Sequence, residues 1–321
     1  MNVRYKRDHF AKLLEFTDKQ LTAADKLPEL KALGGGPDSY QPRHLSAYRR
    51  VLDRHPGREP LRRQLFLNFK GGTGKTSLSV AYAYRLAEMG HRVLLIDLDS
   101  QGHATAHLGV SPEKLERTVF DALVNGVPTT DVILPTPLEE FDVLPANLRM
   151  TTIDISLMPM AGREYKLQRA LAGVLDRYEF IVMDAPPSFG LLNLNALMAT
   201  DDLLVPVLPD FLSFHGLKLL FETLGQLEDD LNLRLQRIKI LINQYNPTTR
   251  IAREAKGALE THYREFLSET IVRQCTQFAR ASSDGLPITA YAPASKGAKD
   301  IDALITEMMS ARLERAMEKS A

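Results

Sequence analysis

The stretch FLNFKGGTGKTS at residues 66–77 constrains the fold more than any other part of the chain. An apolar run precedes it at 65–69, and a helix-favouring run follows it at 77–88. This order predicts a strand, a glycine-rich loop and a helix, where backbone N–H groups and the positive end of the helix meet phosphate oxygens. We therefore expect a nucleotide-binding loop made by Gly71, Gly72, Thr73, Gly74 and Ser77.

Two side chains of this loop predict its chemistry. Lys75 is placed to reach the β- and γ-phosphates of ATP, and the hydroxyl of Thr76 is placed to ligate Mg²⁺. An ordinary glycine-rich turn needs neither residue. The sequence thus predicts ATP and Mg²⁺ as cofactors and Lys75 as a catalytic residue.

A second lysine makes the loop unusual. Phe69 stands where the common pattern has its first glycine, and Lys70 heads the sequence K-G-G-x-G-K-[ST]. Lys70 lies on the opposite side of the loop from Lys75, so both can hardly serve one nucleotide, and we expect Lys70 to reach a nucleotide held by a partner subunit. The alternative is a solvated surface charge. The motif resembles that of the ParA/MinD family of deviant Walker A ATPases, in which this lysine acts in trans.

Two acidic segments extend the resemblance over about residues 62–318. Residues 92–99 read RVLLIDLD, and in the family the second Asp, here Asp99, orients the attacking water near Mg²⁺. Ser100 replaces the proline that usually follows. Residues 178–188 read YEFIVMDAPPS, where Asp184 is expected to hold a Mg²⁺-bound water.

The resemblance implies an ATPase with a weak intrinsic rate that forms a homodimer with ATP and binds DNA of the nucleoid nonspecifically. A ParB-like or adaptor partner would stimulate hydrolysis, and the cycle would position a plasmid, a chromosome region or a protein cluster. Asn243 matches an adenine-contacting position of MinD-like relatives, although a turn-forming asparagine is an equal alternative. The candidate DNA contacts are Arg250, Arg253, Arg273, Arg280 and Lys296.

Periodicity predicts the rest of the fold. Short Val/Ile/Leu-rich strands alternate with helices, which favours an α/β P-loop NTPase with a mainly parallel twisted sheet covered by helices on both faces. A closing amphipathic helix is expected at 300–318. The predicted strands lie at 65–69, 92–96, 141–144, 180–184, 203–207 and 237–243, with a weaker one at 269–272.

The first 64 residues form a basic extension to the ATPase domain predicted at 65–321. They carry 14 Lys and Arg against 8 Asp and Glu, although the whole chain has no net charge. Helical spacing, interrupted by a Gly-Gly-Gly-Pro break at 34–37, suggests a small helical module with Val51 on one apolar face. A reduced helix-turn-helix and an adaptor arm without its own fold remain alternatives, and the charge suggests a polyanion or an acidic partner.

Two rival functions would require sequence features that this chain lacks. A MinD-like, membrane-cycling regulator of division-site or flagellar placement would need a basic amphipathic helix, whereas the closing segment mixes charges from Asp302 to Lys319, so membrane binding is disfavoured. A metabolic enzyme with a dimer-bridging iron–sulfur centre would need more than the single cysteine, Cys275. One cysteine and no apolar leader at the N-terminus favour the cytoplasm, and the resemblance implies that the protein associates with the nucleoid there.

Overall fold

The computed structural model of the chain describes residues 3–34 and 40–318, with side chains up to residue 310. Apart from Gly34, the predicted break at 34–37 lies outside these residues, as do Lys319 and the last residues of the predicted ATPase domain. The extension contains four helices: α1 (Arg7–Leu13), α2 (Asp18–Ala24), α3 (Pro28–Lys31) and α4 (Pro42–Leu52).

The rest of the chain builds one sheet from short buried strands. Its order is β3-β4-β2-β5-β1-β6-β7, and every neighbouring pair is parallel except β3 with β4. The predicted α/β fold class is confirmed. The strands are β1 (Arg62–Phe66), β2 (Val93–Asp97), β3 (Leu134–Pro135), β4 (Phe141–Leu144), β5 (Phe180–Asp184), β6 (Asp202–Val207) and β7 (Arg237–Ile242).

Helices cover both faces of the sheet. The long ones that frame the nucleotide loop are α5, directly after it, and α11, after β6; α15 packs on α5. The helices of this part are α5 (Lys75–Glu88), α6 (His103–Ala106), α7 (Val119–Val124), α8 (Ile153–Leu157), α9 (Lys166–Leu171), α10 (Leu191–Met198), α11 (Leu212–Leu231), α12 (Arg250–His262), α13 (Gln277–Ser283), α14 (Ile288–Tyr291) and α15 (Lys296–Glu318).

Alternate residues of each strand enter opposite cores, as expected for a sheet buried on both faces. Phe66 belongs to the core that contains α5, whereas Leu65 belongs to the core on the other face. The extension contributes Phe10, Leu45 and Tyr48 to the first of these cores. The extension and α5 therefore share one hydrophobic core.

The predicted strand positions differ from the structure in two places. The strand expected at 65–69 occupies Arg62–Phe66, because pairing with β5 starts at Arg62 and the residues after Phe66 turn into the loop. The weak strand expected at 269–272 is absent from the described residues. Only isolated bridges occur there, between Ile240 and Leu267 and between Tyr245 and Arg273.

Part of the basic excess of the extension is used within the molecule, and the polyanion or acidic partner suggested by its charge stays a prediction. Arg49 is buried and donates to the carbonyl oxygen of Glu88, while Val51, expected on an apolar face, is exposed. Arg50, Arg62 and Arg63 form ion pairs with Glu139, Asp202 and Asp201 of the acidic remainder. The arginines of residues 1–64 that contact the rest of the chain are Arg49, Arg50, Arg58, Arg62 and Arg63.

Candidate nucleotide-binding site

The glycine-rich loop lies between the end of β1 and the start of α5. Gly72 and Gly74 adopt left-handed backbone angles, with φ of 74° and 87°, which L side chains rarely accept. A Cβ atom at Gly74 would also collide with the amide of Asn243. These two glycines are required by the turn, so the loop can present its backbone N–H groups at the first turn of α5.

Three neighbouring strands bring the acidic residues to this loop. Asp97 at the end of β2 and Phe66 at the end of β1 both pair with Asp184 at the end of β5. Parallel strands place their carboxyl ends at one edge of a sheet, where open α/β folds bind ligands. The sheet register therefore brings together residues that lie far apart in the chain, such as Phe66 and Asp184.

Lys75 is buried within the loop, and its Nζ lies 3.4 Å from the carbonyl oxygen of Lys70. Burial lowers the pKa of Lys75, while Asp184 and Asp99 counteract this shift by attraction. The ammonium group is therefore close to both predicted acidic residues. A phosphate group would give this buried cation an additional anionic partner.

Asp184 has the properties of a residue that meets a cation. The hydroxyl of Ser79 donates to its Oδ1 at 3.0 Å, but Oδ2 is buried without a hydrogen-bond partner in the described structure. Burial raises the pKa of Asp184 to about 7, with repulsion from Asp97 adding to the effect. An orphaned buried carboxylate oxygen fits Mg²⁺ or a Mg²⁺-bound water.

The residues predicted to bind Mg²⁺ are few. Among the described residues, no three His, Cys, Asp or Glu side chains form a group that could hold a metal ion by themselves. Mg²⁺ usually takes one or two protein carboxylates plus substrate phosphates and waters. Asp184 and Thr76, beside the loop, match that requirement.

The two carboxylates of the RVLLIDLD segment have different environments. Asp97 is fully buried and accepts hydrogen bonds from the backbone N–H and hydroxyl of Thr105, at 2.8 and 2.7 Å. Asp99 is half-buried, and its Oδ1 accepts from the N–H of Gln101 at 3.0 Å. Asp97 thus anchors α6. The carboxylate of Asp99 can accept further hydrogen bonds.

Lys70 has a partner that the sequence analysis missed. Its Nζ lies 2.7 Å from Oδ2 of Asp210, and its backbone N–H donates to Asn68. Asp210 follows β6 and accepts from the backbone N–H of Ser213 in the first turn of α11. An acidic residue just before a helix is a recognisable capping signal, although sequence alone does not connect it to Lys70.

Asn243 holds the loop in place. Its Nδ2 donates to the carbonyl oxygen of Thr73 at 2.8 Å, and its Oδ1 accepts from the N–H of Gln244 at 2.8 Å. A cavity of about 310 Å³ opens beside it, lined in part by Ser77 and Cys275. The predicted contact of Asn243 with adenine stays a prediction.

The candidate DNA contacts fall into two groups. Arg250 is paired with Glu254 at 2.6 Å, Arg273 with Asp300 at 2.6 Å, and Arg253 donates to the carbonyl oxygen of Pro247 at 2.7 Å. By contrast, Arg280 and Lys296 are exposed, and their side chains have no partner among the described residues. Arg273 also lines the cavity beside the loop, and the contact of these residues with DNA stays a prediction.

No helix in the described ranges combines the length and apolar character that crossing a bilayer requires.

Comparisons with known proteins find similar sequences over most of the chain. A family model described as an AAA domain matches residues 64–237, which include the loop, Asp99 and Asp184. Cell division protein PomZ of Myxococcus xanthus is 59% identical over 272 residues, 85% of each chain. Sporulation initiation inhibitor protein Soj of Bacillus subtilis is 36% identical over 232 residues, covering 72% of this chain and 92% of Soj.

A solved structure is similar as well. Cobyrinic acid a,c-diamide synthase from Mycobacterium smegmatis, with a bound ATP analogue and magnesium, is 31% identical and has a TM-score of 0.63. The match covers 70% of this chain and 92% of that one. The ligands named for that structure are those predicted here from the loop.

Proposed function

This chain belongs to the ParA/MinD family of P-loop ATPases, and we propose that it is an ATP-dependent dimerisation switch that binds DNA without sequence preference and positions an intracellular cargo. ATP and Mg²⁺ are its cofactors, and ATP hydrolysis is its reaction. The relative at 59% identity is named as a cell division protein. We therefore favour the division site as the place to which the protein brings its cargo.

The two lysines of the loop carry this proposal. Lys75 is buried beneath the loop near Asp184 and Asp99, whereas Lys70 extends to Asp210 at the start of α11. Two ammonium groups with separate environments are suited to two different nucleotides. Lys75 would serve the nucleotide of its own chain, and Lys70 would serve that of a second copy.

The nucleotide would be held by groups already described. Backbone N–H groups of Gly72 to Thr76 and the ammonium of Lys75 would bind the phosphates, as in other P-loops. The hydroxyl of Thr76 and the carboxylate of Asp184 would hold Mg²⁺, whose charge stabilises the phosphate oxygens. The carbonyl of Thr73, tied to Asn243, fixes the loop on which these contacts depend.

Hydrolysis should be slow in the isolated protein. Asp99 would orient the attacking water, but an aspartate that is half-exposed to solvent is a weak general base. An activating ParB-like or adaptor partner would therefore be required for fast turnover. ATP would favour the dimer only through contacts that differ between dimer and monomer, such as the Lys70 contact.

DNA binding rests on the exposed cations. Arg280 and Lys296 are free of side-chain partners in the described structure, so they can neutralise phosphates. A dimer would present two such patches to one duplex. We therefore expect tight binding with ATP and weak binding with ADP.

The central experiment separates nucleotide binding from dimerisation. Lys70→Ala should bind ATP with an affinity within about threefold of the wild type, because its side chain is proposed to touch only the partner's nucleotide. It should fail to form the dimer with a nonhydrolysable ATP analogue in light scattering. Lys218→Ala is the matched control, because this exposed lysine of α11 pairs with Glu222 rather than with Asp210. Normal dimerisation of Lys70→Ala would refute the proposal.

The DNA part has its own test. Arg280→Glu should weaken binding to duplexes of unrelated sequence and reduce the slope of log affinity against log salt by about one for each DNA phosphate that is no longer neutralised. Arg234→Glu serves as a control, because Arg234 is an exposed arginine paired with Glu228 outside the candidate set. Equal DNA affinity with ATP and ADP would contradict the switch.

A further inference from the structure

Lys70 is restrained by a carboxylate of its own chain. The Lys70 Nζ and Asp210 Oδ2 atoms are 2.7 Å apart, and both side chains are about one-third exposed, at 29% and 33%. The backbone N–H of Lys70 is also held, by Asn68 Oδ1 at 2.9 Å, and Asn68 in turn donates to the carbonyl oxygen of Pro206 at 2.7 Å. The base of the Lys70 side chain is thus fixed, and its tip is directed to Asp210.

Asp210 has two oxygens with two separate tasks. Oδ1 accepts hydrogen bonds from the backbone N–H and the hydroxyl of Ser213, both at 2.9 Å, which fixes the first turn of α11. Oδ2 binds Lys70. The carboxylate is therefore held firmly in place by α11, so it does not simply follow the lysine when the lysine moves.

A phosphate on a second subunit would compete with this ion pair. If Lys70 left Asp210 to reach the phosphate, the ion pair within the chain would be broken. If Lys70 contacted both groups at once, the Asp210 carboxylate would lie next to a phosphate of the same charge sign. In both cases the negative charge of Asp210 opposes the contact across the dimer.

We propose that Asp210 is a positioning residue that restrains Lys70 within the monomer and so sets the threshold for ATP-dependent dimerisation. This inference rests on the proposed function, because it assumes that Lys70 acts across the dimer. Its consequence is specific: removing the charge of Asp210 should make dimerisation easier. Removal of a merely structural ion pair would have the opposite effect or none.

The size of the effect follows from the exposure of the pair. Partly exposed ion pairs shift an equilibrium by about 1.4- to 5-fold. A dimer must release two such ion pairs, one in each subunit, so the factors multiply. We expect the dissociation constant of the ATP-bound dimer to fall by about 2- to 25-fold when both are removed.

Asp210→Asn is the variant that isolates the charge. Asparagine caps helices as well as aspartate does, so its side-chain oxygen can still accept from Ser213. Its neutral amide no longer attracts the ammonium of Lys70. Glu222→Gln is the matched control, because it removes one negative charge from α11 at a residue that pairs with Lys218.

The experiment measures the dimer dissociation constant by analytical ultracentrifugation of the full chain with a nonhydrolysable ATP analogue and Mg²⁺. Asp210→Asn should tighten the dimer within the stated range and lower the ATP concentration for half-maximal turnover, whereas Glu222→Gln should behave as wild type. Asp210→Glu keeps the charge and should stay within about twofold of wild type.

Each outcome decides between the two ideas. If wild type dimerises with the analogue but Asp210→Asn matches Glu222→Gln or dimerises less well, the restraint is refuted and the proposed function stands. If Asp210→Glu lowered the dimer dissociation constant as much as Asp210→Asn, the restraint would also be refuted. The loss of charge would then not be the cause of the tighter dimer. If wild type does not dimerise at all, the proposed function and the restraint both fall.

Discussion

The buried carboxyl of Asp184 makes the stability of the protein depend on pH in a direction opposite to that of most aspartates. Burial raises the pKa of this group from 3.8 to about 7. The folded chain then holds a proton that the unfolded chain releases at lower pH. Stability without ligands should therefore fall as pH rises from about 4 to about 7.

The substitution Asp184→Asn removes this dependence. The amide oxygen can still accept from Ser79, and the side chain can no longer ionise. Over the two pH units from pH 5 to pH 7, ionisation of Asp184 lowers the free energy of unfolding of wild type by about 3 kcal/mol. The stability gain of Asp184→Asn over wild type should thus be about 3 kcal/mol larger at pH 8 than at pH 5.

Urea unfolding at both pH values, in EDTA and without nucleotide, measures this difference. Asp176→Asn controls for the removal of a negative charge, because Asp176 is exposed. Saturating Mg²⁺ and ATP should stabilise wild type more than Asp184→Asn, since only the carboxylate can meet the metal. If the gain of Asp184→Asn differs by less than about 0.5 kcal/mol between pH 5 and pH 8, the reasoning about a buried protonated carboxyl is refuted.

Four further outcomes are expected. Lys75→Ala should weaken ATP binding by about 10- to 100-fold in a fluorescent-nucleotide titration, because a charge-assisted hydrogen bond to phosphate is removed; affinity near the wild-type value would contradict the loop assignment. Asp99→Ala should keep ATP binding and accumulate as a dimer in size-exclusion chromatography without turnover, and a wild-type hydrolysis rate would assign the water to another residue. ATP at ten times its Kd should slow maleimide labelling of Cys275 about tenfold, since this single cysteine lines the cavity beside the loop; unchanged labelling would place the nucleotide elsewhere. Phe10→Ala should lower the free energy of unfolding by about 3–5 kcal/mol within one cooperative urea transition, because Phe10 is fully buried and its ring stacks on that of Tyr40 at a centroid distance of 4.0 Å. A separate early transition would instead show that the extension is an independent module.

Local sequence was sufficient for the nucleotide loop and for the fold class. The glycines, Lys75 and Thr76 are contiguous, and their chemistry depends on backbone angles that only a few residue types allow. The buried strands were visible because apolar runs of this length, alternating with helical segments, have few other arrangements. The family resemblance followed from the same contiguous motifs.

The partners of charged side chains could not be predicted, because sequence does not show where a side chain points. The arginines of residues 1–64 suggested a surface for a polyanion, and the structure shows that Arg49 is buried and that Arg63, within β1, pairs with Asp201, 138 positions away. Likewise, sequence did not show that Arg273, a candidate DNA contact, pairs with Asp300. Ion pairs between distant residues form only when the fold brings them together.

The sequence by itself determined which chemistry the chain carries: a phosphate-binding loop with two lysines, followed by two acidic segments. Only the tertiary structure decided how these groups are arranged, since Asp97, Asp184 and the loop meet through the register of three parallel strands. It also gave Lys70 its partner, because the start of α11 lies beside the loop although Asp210 is 140 residues away. Short-range patterns encode local backbone geometry, whereas the neighbours of a charged side chain depend on packing of the whole chain.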